Sequence, residues 1–220
     1  MQIELAAADG HRLTAWRTGP EDASRALVVV QEIFGVNNHM RRVCEGFAAQ
    51  GYAVICPALF DRAEPGVELG YGPEDVKQGI ALRGRIDPAA TLLDVEAAAA
   101  ALPAAARRGI IGYCWGGTVA WHGATRSQSF AAAVGYYGGG IAAAREEVPG
   151  CPVQLHFGAE DHGIPLADVE AIRAARPEVE VFVYPGAGHG FSCDERASFN
   201  AAAAAEARAR SLAFLASHLG

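Results

Sequence analysis

The sequence predicts an α/β protein with a mostly parallel central sheet and helices on both faces. Strand-like and helix-like segments alternate almost without a break along the chain. Ala26 to Val30 is a continuous apolar, largely β-branched run, as expected of a strand buried on both faces. Later, an apolar strand runs into Gly112-Tyr113-Cys114-Trp115-Gly116-Gly117, where glycines on either side of a cysteine permit a sharp turn from strand to helix.

The elements follow in order. Gln2 to Ala6 and Arg12 to Arg17, separated by Asp9-Gly10, read as an antiparallel hairpin. After the buried strand, Met40, Val43, Cys44, Phe47 and Ala48 fall at helical spacing, with Asn37 and Asn38 as candidate caps. Gly51 ends that helix, and Tyr52 to Cys56 is the next strand, stopped by Pro57. Asp61 to Gly72 is rich in Gly, Pro and acid and reads as a long loop. Helices are predicted from Pro73 to about Arg83 and from Pro88 through Leu102, each with proline at its start. The strand Arg108 to Gly112 delivers Cys114, and a helix carrying Val119 and Trp121 follows. Ala131 to Tyr136 and Val153 to Phe157 are strands, Leu166 to Ala175 a helix, and Val181 to Tyr184 a strand. A final helix runs from about Glu195 to His218, its alanines helix formers and its apolar face supplied by Phe199, Leu212 and Leu215.

At 220 residues the chain suits one domain, 1–220, with no repeat or linker. A net charge of −7 and a pI near 5.5 argue against nucleic-acid or anionic-membrane partners, which need a basic face. The five cysteines are odd in number and widely spaced, a pattern of free thiols in a reducing compartment. The N-terminal residues carry no signal-peptide pattern, and no apolar stretch approaches the ~20 residues a membrane span needs. A cytoplasmic protein is expected.

Cys114 carries the first chemical inference. An elbow exposes its sulfur, and the N-terminus of the following helix favours negative charge there. A free thiol is mostly protonated at neutral pH, with a reference pKa of about 8.5, so it needs a base. His189, in Gly186-Ala187-Gly188-His189-Gly190-Phe191, follows a predicted strand at the end where such sheets form their ligand crevice. Asp161, in Gly158-Ala159-Glu160-Asp161-His162-Gly163, occupies a similar turn and suits the acid that orients the histidine, with Glu160 and His162 as the local competitors. The order nucleophile, acid, histidine is that of the α/β-hydrolase fold. Glu32 closes the buried strand, where a charge is costly without a partner, and reads equally as a capping or solvent-facing acid. Oxyanion donors would be the backbone N–H of Trp115 and one from the loop after Glu32, that of Ile33. The remaining histidines show no metal-ligand spacing, so no metal is expected.

These motifs resemble the dienelactone hydrolase family of α/β-hydrolases. The similarity runs over nearly the whole chain, through Gln31-Glu32-Ile33-Phe34-Gly35-Val36-Asn37, Gly51-Tyr52, Cys56-Pro57, the elbow, Gly135-Tyr136-Tyr137-Gly138, Gly158 to His162 and Gly188-His189-Gly190-Phe191. The resemblance implies a triad of Cys114, Asp161 and His189, with Glu32 pairing with the cysteine at rest until substrate displaces it. It implies hydrolysis of an enol-lactone such as dienelactone through a thioester, without cofactor, by a monomer. Phe34, Lys77, Arg83, Tyr137 and Phe191 become substrate-binding candidates. Two departures stand out. The family's carboxylate-binding arginine four residues after the histidine is here Cys193, and a second arginine falls by counting near Lys77, with Arg83 and Arg85 close by. Each charge-assisted hydrogen bond from such an arginine is worth about 1.5–3 kcal/mol. Trp115 is bulkier than the aliphatic residue often found after the nucleophile. A general esterase or thioesterase of the same fold is therefore a second expectation, and a non-catalytic ligand-binding or thiol-sensing protein a remote third.

Overall fold

A computed structural model describes all of residues 1–220. Its strands are β1 (Gln2–Ala6), β2 (Arg12–Thr18), β3 (Arg25–Val30), β4 (Ala53–Pro57), β5 (Arg107–Tyr113), β6 (Ala132–Tyr136), β7 (Val153–Gly158) and β8 (Glu180–Tyr184). They form one eight-stranded sheet in the order β1-β2-β4-β3-β5-β6-β7-β8. The helices are α1 (Asn38–Ala48), α2 (Pro73–Arg83), α3 (Pro88–Ala100), α4 (Trp115–Arg126), α5 (Leu166–Ala175) and α6 (Ala201–Leu219). By internal contacts the chain divides into two units, Met1–Gly109 and Ile110–Gly220.

In the first unit the predicted hairpin is present. β1 and β2 pair antiparallel from Gln2 against Trp16 to Ala6 against Arg12, turning at Gly10, whose φ of +85° suits glycine. β2 pairs antiparallel with β4, and β4 runs parallel to β3. Ala26 to Val30 is fully buried, which accounts for its unbroken apolar run. Asn37 caps α1, its side-chain oxygen accepting from the Met40 amide at 3.2 Å. The segment read as loop from Asp61 onward is entered by a 3₁₀ turn, Leu59–Arg62, and anchored there. Asp61 accepts from the Thr14 amide and hydroxyl at 2.7 and 2.9 Å, and the Arg62 guanidinium grips the fully buried Asp94 carboxylate at 2.7 and 2.8 Å. A buried carboxylate persists because this fork neutralises it.

In the second unit β6, β7 and β8 run parallel. The last helix begins at Ala201, not near Glu195. Asn200 is its cap, accepting from the Ala203 amide at 3.1 Å, and residues 191–200 instead fold as turns tied by Cys193 N–H to Gly190 C=O and Asn200 N–H to Phe191 C=O. Alanine-rich composition extends helical propensity in both directions, but a capping side chain decides the start. Phe199 consequently lies outside the helix and 42 % exposed, while Phe214, Leu215 and Leu219 form the buried face. All five cysteines are free thiols. No helix is long and apolar enough to cross a membrane.

Candidate active site

Cys114 stands between β5 and α4 with φ 55° and ψ −117°, a conformation that non-glycine residues rarely adopt. The strain is held by close backbone packing that only glycine permits. A Cβ on Gly112 would lie 1.8 Å from the Gly116 carbonyl oxygen, and one on Gly117 would lie 2.4 Å from that of Tyr136. The Cys114 amide donates to the Tyr136 carbonyl at 3.0 Å, fastening the elbow to β6. Cys114 is only partly covered, which leaves its sulfur accessible.

The thiol faces a histidine. His189 Nε2 lies 3.1 Å from Cys114 Sγ, and His189 Nδ1 lies 2.7 Å from Asp161 Oδ2. The Asp161 side chain is fully buried, and its other oxygen accepts from the Gly163 amide at 2.9 Å. Glu160, the competing acid, is exposed. Burial opposes the imidazolium form of His189. Hydrogen bonds to Asp161 and Cys114, together with their negative charge, outweigh it and push His189 up to about 10. The arrangement can take a proton from a thiol, hold it, and return it to a leaving group.

Two side chains fix this histidine that sequence reasoning did not single out for it. Tyr137, in the left-handed region at φ 37°, presents its ring edge to His189 at 5.1 Å between centroids and shares a hydrogen bond of 2.7 Å with Ser192. Its amide donates to the His156 carbonyl at 2.8 Å. The Ser198 hydroxyl donates to the His189 carbonyl at 2.6 Å. Serines in a loop carry no periodic signal, so only the fold reveals these contacts. Phe191 is fully buried and packs against Tyr137 at 5.4 Å.

Trp115 opens α4 and is buried, so its amide belongs to the first helical turn, where backbone donors point toward an anion. The structure thus gathers Cys114, Trp115, Tyr137, Asp161, His189 and Phe191 in the second unit. The other candidates lie in the first. Glu32 is fully buried just beyond β3, and Gln31 braces its backbone, donating to the Glu32 carbonyl at 3.1 Å while accepting from the Leu59 amide at 3.0 Å. A Cβ on Gly79 of α2 would lie 2.0 Å from the Ile33 carbonyl oxygen, so a glycine lets the helix approach this loop. Phe34 is buried against Tyr71 at 4.5 Å. Lys77 and Arg83 are exposed on α2, with Lys77 paired to Glu74 at 2.7 Å. Cys193 is fully buried.

The other thiols and histidines differ in kind. Burial raises Cys44 well above the ordinary thiol range and pushes Cys151 up to about 11. His156 is driven down to about 3, by burial first and the Arg210 charge second, and its ring nitrogens meet Tyr184, Gln154 and Ser211 at 2.8 to 3.0 Å. It is a neutral core histidine.

Comparison with known proteins adds an independent line. Residues 13–219 match the profile of the dienelactone hydrolase family. The carboxymethylenebutenolidase of Pseudomonas putida is 35% identical over 231 residues, covering 97% of this chain and 95% of that protein. A Synechocystis protein provisionally given the same name is 42% identical over 200 residues, covering 82% of this chain and 81% of its own. The crystal structure of a Klebsiella pneumoniae protein, provisionally assigned as a dienelactone hydrolase, superposes with a TM-score of 0.82 at 32% identity, covering 98% of this chain and 99% of that one.

Proposed function

Because the chain belongs to the dienelactone hydrolase family, we propose that it is a carboxylic-ester hydrolase that opens a small lactone or ester through a thioester on Cys114. The observation that carries the reading is the hydrogen-bonded series Asp161–His189–Cys114, at 2.7 and 3.1 Å. Asp161 fixes the ring so that Nε2 points at sulfur and stabilises the imidazolium once it forms. The thiol proton passes to Nε2, and sulfur attacks the substrate carbonyl carbon. The resulting oxyanion is held by the Trp115 amide. Collapse breaks the carbon–oxygen bond, and His189 returns its proton to the departing oxygen. Water, deprotonated by His189, then cleaves the thioester.

Glu32 as the acid that keeps the thiol protonated at rest, and Ile33 as the second oxyanion donor, are assigned by resemblance. So is the placing of Phe34, Lys77, Arg83, Tyr137 and Phe191 against substrate. A monomeric, cytoplasmic enzyme is in keeping with this reading, and five free thiols support a reducing compartment. A general esterase is favoured by one observation, the fully buried Cys193 in place of the family's arginine.

The test is turnover of cis- and trans-dienelactone and of p-nitrophenyl acetate by the wild type and Cys114→Ala, with acid-quenched intermediates examined by mass spectrometry. The expected outcome is an acyl adduct on the Cys114 peptide and a loss of about 10³-fold or more in the variant. Undiminished turnover by Cys114→Ala sinks the assignment. A preference for the neutral ester over both lactones favours the general esterase.

A further inference from the structure

His189 stands in Gly186-Ala187-Gly188-His189-Gly190, a stretch with little side-chain bulk of its own to hold it. Gly186 and Gly190 both have positive φ, +69° and +74°, so the chain on either side of the histidine follows a path that glycine adopts without strain. Glycine also loses the most conformational freedom on ordering. A histidine here keeps a fixed aim only if neighbouring segments hold its backbone.

The start of α6 supplies that hold. The Ser198 hydroxyl donates to the carbonyl of His189 itself at 2.6 Å. The Asn200 amide donates to the Phe191 carbonyl at 3.0 Å, and the Asn200 side-chain nitrogen donates to the Gly186 carbonyl at 3.1 Å. Carbonyls before, at and after the histidine are thus tied to residues 198–200. On the opposite flank the Glu160 amide donates to the Ala187 carbonyl at 2.9 Å, joining the loop to the turn that bears Asp161. Asn200 acts twice with one side chain. Its oxygen caps α6, accepting from the Ala203 amide at 3.1 Å, while its nitrogen reaches back to Gly186. The last helix is therefore the anchor of the loop whose histidine meets Cys114 Sγ at 3.1 Å.

We propose that Ser198 and Asn200 are positioning residues: they strap the histidine loop to the N-terminal end of α6 and so set the reach of His189 to Cys114. The inference rests on Cys114 being the nucleophile. Its test follows alkylation of the Cys114 peptide by iodoacetamide against pH, beside turnover of p-nitrophenyl acetate, in Ser198→Ala, Asn200→Asp and the double variant. Asn200→Asp keeps an oxygen to cap α6 but has no nitrogen to give Gly186, so it separates the strap from the cap. The His189 ring faces Asp161 and Cys114, and Arg196 and Glu160 are the charged residues beside its loop. An imidazolium held close favours the thiolate, so a ring that drifts lets the alkylation midpoint rise toward the ~8.5 of a free thiol. The double variant is expected to show that rise and to lose about tenfold in kcat, with KM within about twofold of wild type. Ser198→Thr, which keeps the hydroxyl, should match the wild type in both. A wild-type midpoint and kcat in the double variant overturn the proposal even if its urea midpoint falls, because a contact that only stabilises the fold behaves in that way. Should the double variant not fold, Asn200→Asp alone decides by the same two readings. Cys114→Ala checks the premise separately, because rapid thiol labelling must vanish there whatever the strap does.

Discussion

In the proposed mechanism His189 is the residue on which the chemistry turns, and its environment makes a prediction about pH. Two acidic partners, an aspartate at 2.7 Å and a thiol at 3.1 Å, raise its value from the ~6.5 of a free histidine to about 10 despite burial. A folded value above the unfolded one means that the stabilising share is full below pH ~6.5 and is lost as pH rises through about 10. Asp161→Asn removes the strongest of the groups that raise it and leaves the ring free to adopt the wrong tautomer. We expect this variant to lose roughly 10²–10⁴-fold in kcat and to show a shallower decline of stability between pH 7 and 10 than the wild type. Urea melts across that range, run beside an ester assay, check both. A variant with wild-type kcat and an unchanged slope would remove Asp161 from its role.

At the scale of elements, the turn from β5 to α4 was the most legible feature in the sequence, because its glycines answer to a physical need. Gly112 and Gly117 are required by backbone atoms that approach within 1.8 and 2.4 Å of where a Cβ would stand. Gly117→Ala should therefore cost about 1–3 kcal/mol or more through overpacking against Tyr136 and Gly138. Equilibrium urea unfolding reads this directly, and a variant as stable as wild type would mean that the elbow is looser than its geometry implies. The start of α6 was illegible for the opposite reason. Glu195 to Ala207 contains no glycine or proline to break a helix, and the folded chain shows Asn200 capping it and Ser192, Arg196 and Ser198 turned back toward the histidine loop. Propensity locates helices well, but it does not locate the loop contacts that position a catalytic side chain. Asp161 and Glu160 illustrate the same divide. The turn pattern ranks Asp161 ahead of Glu160 in the sequence, and burial and the Gly163 amide supply the physical distinction between the two.

At the scale of the whole molecule, the two units invite the question of whether they fold together. The boundary between Gly109 and Ile110 falls inside β5, an otherwise continuous strand whose residues Gly109 to Tyr113 are all buried. The family profile likewise runs unbroken from residue 13 to 219. A boundary that cuts a buried strand is unlike a domain linker, which lies exposed and crosses few contacts. We propose that residues 1–220 unfold as one cooperative domain. The tryptophans make this testable, since Trp16 lies in the first unit and Trp115 and Trp121 in the second. Fluorescence of a Trp115→Phe/Trp121→Phe variant reports the first unit alone, and that of Trp16→Phe reports the second. Because each substitution shifts stability in its own right, each variant is also followed by far-UV circular dichroism. Cooperative unfolding requires the fluorescence and dichroism transitions to coincide within each variant. A dichroism curve with two steps, one of them matching the fluorescence midpoint, would establish that the units unfold separately.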